Sequence, residues 1–126
     1  MSAKHNRTKF LDNAGQRVIL LGFEGITDEP MGLAVVAEAR EFIGRLKPDG
    51  SHYTLTDVTR TTYNRKIVEA FKELTVHNRP FVKAAAIVSD SALHRAAISM
   101  IAVISRRRLE VFDSRDAALA WLATQR

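Results

Sequence analysis

The stretch from Phe81 to Val111 constrains the fold more than any other part of this chain. After Pro80 it opens with Phe81-Val82-Lys83-Ala84-Ala85-Ala86-Ile87-Val88, an apolar run too brief for a helix and of the right length for a buried strand. Ser89-Asp90-Ser91 breaks the run. From Ala92 to Arg106 the chain then places Leu93, Ala97, Met100, Ile101 and Ile104 at helical spacing, and Leu109 to Phe112 is again short and apolar. Strand, crossover helix and strand in that order imply parallel pairing.

The flanking sequence extends the same alternation. Phe10-Leu11-Asp12 and Arg17 to Phe23 enclose Asn13-Ala14-Gly15-Gln16, whose Asn and Gly suit a tight reversal with a residue at positive φ, so the two arms predict a β-hairpin. Its second arm is continuously apolar, as in a strand covered on both faces; its first arm is polar enough for an edge. Thr27-Asp28-Glu29-Pro30 combines a capping side chain, acids and an early proline, the signature of a helix start. That helix is predicted to run to about Leu46, with Val35, Ala39, Phe42, Ile43 and Leu46 inside and Glu38, Arg40, Glu41 and Arg45 outside.

Tyr53 to Val58 is rich in aromatic and β-branched residues and reads as the next strand. Asn64 to Val76 follows as a helix with Ile67, Val68, Phe71, Leu74 and Thr75 on one stripe. Asp113-Ser114-Arg115-Asp116 caps a final helix whose buried side is Ala117, Ala118, Trp121 and Leu122, with Trp121 fastening it to the sheet. The expectation is one α/β domain over residues 1–126: a mixed, mainly parallel sheet with an antiparallel N-terminal edge hairpin and about four helices.

Composition narrows the function classes. No apolar run approaches the roughly 20 residues of a membrane span, and the N-terminus is polar and basic, so a cytoplasmic protein is expected. With zero cysteines, disulfides, thiolate nucleophiles and cysteine-ligated metals fall away. A formal charge of +5 invites a polyanion. Outside the N-terminal arm Lys4, His5, Arg7 and Lys9 and the cluster Arg106-Arg107-Arg108, however, basic residues alternate with acids along helix faces, so nucleic acid is not the expected partner.

Nor does a catalytic or cofactor motif emerge. His5, His52, His77 and His94 form no His-x-x-x-His pair, Gly22-Phe23-Glu24-Gly25 lacks the Lys-Ser/Thr ending of a phosphate loop, and there is no Gly-x-Ser-x-Gly elbow. Ser89, Asp90 and His94 make a triad only on paper, because His94 falls in the first turn of the helix after Ser89. The sequence thus points to a non-enzymatic chain without metal or cofactor.

In open α/β sheets ligands gather at the carboxyl ends of the strands. Here those ends are Glu24 to Thr27, Thr56 to Thr59, Ser89 to Ser91 and Phe112 to Ser114, each with an acid and a hydroxyl that serve either a ligand or the cap of the next helix. The candidate ligand- or partner-binding residues are Asp57, Thr59, Arg60, Tyr63, Ser89, Asp90 and Ser91, with Asp57 foremost because the loop after it is long. A further feature is the helix from Ala92 to Ile104, apolar around much of its circumference. One sheet face needs only a stripe, so the surplus implies a homodimer interface first, or else burial against the neighbouring helix or a lipid-like ligand. The Arg106-Arg107-Arg108 exit suits either an anionic headgroup or the helix dipole.

Leu55-Thr56-Asp57-Val58, the run Phe81 to Val88, and Val111-Phe112-Asp113-Ser114-Arg115-Asp116-Ala117-Ala118-Leu119-Ala120-Trp121-Leu122 together resemble the SpoIIAA-like bacterial proteins. These are small domains related to the STAS fold of anti-sigma-factor antagonists and similar in shape to CRAL-TRIO lipid-binding domains. The resemblance spans roughly Arg17 to Leu122 and implies a STAS-like fold acting as a regulatory or binding module on a protein partner, or alternatively as a carrier or sensor of a lipid-like or small anionic ligand. In the antagonists a serine in an Asp-Ser-Ser-Gly-like turn is phosphorylated. The matching loop here, Asp57 to Asn64, has neither the Asp-Ser pair nor the glycine, so no phosphosite carries over.

Overall fold

The computed structural model describes residues 5–126; Lys4 of the basic arm lies outside them. Nine elements follow in the predicted order: β1 (Thr8–Asn13), β2 (Gln16–Gly22), α1 (Glu29–Gly44), β3 (His52–Asp57), α2 (Arg65–Asn78), β4 (Val82–Val88), α3 (Ala92–Ser105), β5 (Leu109–Phe112) and α4 (Arg115–Ala123). The fold is mixed α/β. One five-stranded sheet runs in the order β1-β2-β3-β4-β5, antiparallel between β1 and β2 and parallel at the other three pairings.

That sequential order decides where the helices lie. Three parallel crossovers step the same way across the sheet, and connections of one hand then place α1, α2 and α3 on one face. Strand periodicity divides the core accordingly: Ile19, Leu21, Phe23 and Ile87 pack with those helices, while Val18, Leu20, Leu55, Ala84, Ala86 and Val88 face the other way. The second face is covered by α4 through Ala118 and Leu122. Ala84 and Ala86 are small there, so the helix can approach closely.

Each helix opens on a capping side chain, Asp28, Asn64, Ser91 and Ser114 each accepting a backbone N–H of the first turn; the cap of α4 is thus Ser114 rather than Asp113, and Asn64 precedes α2 instead of opening it. Boundaries shift by about half a turn: α1 stops at Gly44 rather than Leu46, and α2 continues to Asn78, two residues before Pro80. Glu38, placed on the outside by periodicity, instead accepts the backbone N–H groups of His5 (2.6 Å) and Arg7 (3.1 Å) and so pins the basic arm. Ala117 is exposed and Trp121 only half-buried, its ring against Phe112; the fully buried anchor of α4 is Leu122.

The hairpin turn holds Ala14 at φ 53° and Gly15 at φ 84°. Two positive-φ residues are the pattern of a type I′ turn, in which Asn-Gly is favoured and alanine carries a steric cost. Ala14→Asn is therefore expected to raise the unfolding free energy by about 0.5–1 kcal/mol in urea denaturation; a loss of stability would refute the turn assignment.

The largest departure from the sequence reading concerns α3. Its buried residues are Ile98, Ile101 and Ser105, whereas Leu93, Met100 and Ile104, expected inside, face solvent together with Val103. The helix is turned by about a quarter of a revolution from the expected stripe. A helix apolar on most sides offers periodicity no unique face, so the register was set by what the sheet and α2 leave open rather than by α3 itself.

Candidate functional site

Asp57 closes β3 and points to the α4 face, because Leu55, two residues earlier, does. It is 4% exposed, and three protein donors meet its carboxylate. Its Oδ1 accepts the Thr59 N–H (3.0 Å) and the Thr59 hydroxyl (2.8 Å), and its Oδ2 accepts from Arg115 Nε (2.6 Å). Burial opposes ionisation, but the Thr59 N–H, Arg115 and the Thr59 hydroxyl outweigh it and hold the carboxyl below its ordinary range. Arg115 also lies 3.4 Å from Glu24 Oε2, and Arg7 lies 3.6 Å from Glu24 Oε1. Two acids and two arginines thus form one chain from the N-terminal segment through β3 to α4.

The other rim residues are similarly engaged. Arg60 sits at φ 52°, its N–H directed at both Asp90 carboxylate oxygens (3.3 Å each), which joins the loop after β3 to the loop after β4. Ser89 is fully buried, its hydroxyl donating to the Ser91 carbonyl and accepting the Ser91 N–H (3.3 Å each). Ser91 caps α3 by accepting the His94 N–H (3.3 Å). Ser89 therefore has no bond to His94, and the paper triad is not assembled.

Tyr63 belongs to a different place. Its ring stacks on His94 at 3.9 Å and lies 5.6 Å from Phe71, on the α2–α3 side of the sheet, and burial pushes its phenol well above the ordinary value. The candidate residues thus divide between the two faces of the sheet. A ligand crevice at strand ends also needs a point where strand order reverses, and here it never does.

What the fold does open is a cavity of about 50 Å³ between α2, α3 and the inner face of the sheet. Thr54 and Thr56 of β3, Leu74 of α2, Ile98 and Ile101 of α3, and Arg107 border it. Sequence reasoning missed Arg107 as a distinct residue because it stood in a run of three. The structure separates them: Arg106 takes the left-handed C-cap position at φ 56°, Arg108 pairs with Glu110 (2.9 Å), and Arg107 turns inward. Alternation of Thr54 and Thr56 with Leu55 was the available signal for a polar patch on the inner face.

Among the described residues no group of three or more His, Asp or Glu side chains is placed to hold a metal ion, and no helix is long and apolar enough to cross a membrane. No protein-family model and no curated protein matches the chain. Among solved structures it is similar to an uncharacterized protein from the DUF3478 family with a SpoIIAA-like fold from Shewanella loihica PV-4. The two share 14% sequence identity and a TM-score of 0.70, with 91% of each chain covered. With its five-stranded sheet, antiparallel edge and four helices, this chain has a SpoIIAA-like fold.

Proposed function

We propose that the chain is a non-enzymatic binding module, working in the cytoplasm, that docks on a protein partner through the outer face of α3. One observation carries this: Leu93 (79%), Met100 (61%), Val103 (79%) and Ile104 (56%) lie exposed along a single side of that helix. A contiguous apolar strip is costly to leave in water and marks an interaction surface. Charge defines the partner. Arg95 pairs with Asp113 and Arg108 with Glu110, but Arg106, the C-cap of α3, has no carboxylate partner among the described residues. An apolar segment flanked by acids would meet both the strip and this charge. Support for a non-catalytic role comes from the rim, where Asp57, Ser89 and Ser91 are each consumed by structural bonds.

A photo-crosslinking residue at position 100, used in cells of the source organism, tests the reading. The expected product is a cross-link to a peptide of another protein with Asp or Glu beside apolar residues. Leu93→Asp and Val103→Asp should abolish it while changing stability by no more than about 0.5 kcal/mol, as exposed substitutions do. A cross-link to a second copy of the chain would assign the strip to a homodimer instead, and the absence of any cross-link would remove the docking role.

A further inference from the structure

The α2–α3 cavity carries an inference independent of the docking face. Among the described residues Arg107 is the one charged side chain bordering it, and no carboxylate does. Of the five N–H donors a guanidinium offers, one meets a protein acceptor, the Thr75 carbonyl at the C-terminal turn of α2 (3.3 Å). Arg79 stands nearby as a second positive charge, and burial together with that repulsion draws the Arg107 pKa down to about 10. A desolvated cation facing another cation, without an acid, is an arrangement that an anion would complete.

The remaining lining decides which anion. Most of it is apolar, Leu74, Ile98 and Ile101 included, and the uncharged polar side chains of Thr54, Thr56, Tyr63, Thr75 and Asn78 make up the rest. A multiply charged phosphate would surrender its hydration to mostly hydrocarbon walls, whereas a single carboxylate on the guanidinium fork leaves an alkyl part for those walls. Size sets the length: about 50 Å³ is room for roughly four water-sized groups at about 10–15 Å³ each. We propose that this cavity binds a short-chain monocarboxylate, of propionate or butyrate size, with its carboxylate on Arg107 and its alkyl part among Leu74, Ile98 and Ile101.

The test is an NMR titration of the intact chain, following the Arg107 Nε–H and the Ile98 and Ile101 methyl groups, with sodium butyrate, n-butanol, octanoate and inorganic phosphate at constant ionic strength. Butyrate should shift all three signals saturably in the millimolar range. Butanol, which lacks the charge, and the Arg107→Gln variant with butyrate should each bind roughly ten-fold more weakly, the scale of one hydrogen bond to a charged group. Absence of a saturable butyrate shift, or equal binding of butanol or phosphate, would overturn the proposal. Tighter binding of octanoate would overturn the size assignment and make the cavity a channel for longer chains. Should Arg107→Gln fail to fold, the comparison of butyrate with butanol on the unaltered chain decides the matter by itself.

Discussion

Phe23→Ala is expected to lower the unfolding free energy by about 3–5 kcal/mol in urea denaturation, the range for emptying a buried aromatic site. Phe23 is 1% exposed, the largest of the fully buried side chains, and its ring meets Phe71 edge-on at 4.7 Å. Its backbone is as constrained as its ring. The Phe23 N–H donates to the Asp57 carbonyl (2.8 Å), and its own carbonyl accepts from the Thr61 hydroxyl (2.8 Å). Because β2, β3 and α2 all hold the residue, the walls have little freedom to collapse into the space, which keeps the cost high within that range. Domains of this kind are stable by only about 5–15 kcal/mol, so the variant should lose a large part of its total. Phe23→Leu, which keeps most of the volume, should lose less than about 1.5 kcal/mol. A loss below about 1 kcal/mol for Phe23→Ala would contradict the packing described for this face.

Asp57→Ala should cost about 3 kcal/mol. Breaking a buried ion pair by removing one partner costs about 3–5 kcal/mol, and the lower end applies because Arg115 is 41% exposed and water screens what remains. Asp57→Asn separates charge from shape, since it leaves an acceptor for Thr59 but none of the attraction to Arg115. The pH dependence has a definite sign. The folded carboxyl titrates below the ordinary Asp value of about 3.9, so its contribution is fully present above that value and is lost as pH falls through the depressed folded value. In Asp57→Asn the stability curve should accordingly be flatter on its acid limb. If unaltered and variant chains lose stability in parallel on acidification, Asp57 is not the group responsible.

Element order, helix starts and strand periods were legible in the sequence because each is a local property: Asp28 sits where its side chain must satisfy a free N–H group, and Pro30 follows it in the first turn. Strand order was not, since nothing in β3 or β4 alone says whether successive crossovers continue or reverse direction. That omission is why the rim attracted attention. Alternation along β3 sends Asp57 to the α4 face with Leu55, and Tyr63 packs on the other face against Phe71 and His94, so the rim residues do not converge. Arg115 was visible as a first-turn residue of α4, but its partner lies 58 positions away in sequence. The orientation of α3 was hidden by its own composition, since apolar residues surround it.

The reach of α4 back to the hairpin has a consequence for folding during synthesis. Asn13 donates through its side chain to the Leu119 carbonyl (2.8 Å) and Gln16 to the Leu122 carbonyl (2.8 Å), while Arg115 is the counter-ion of Asp57. Each strand leaving the ribosome finds its neighbour already made, yet until α4 follows, the sheet lacks cover on one face and Asp57 lacks its cation. Growth from the N-terminus can therefore assemble the scaffold early, while locking waits for this last helix. A nascent chain halted before Arg115 should remain open to proteolysis, and one extended past Arg126 should close.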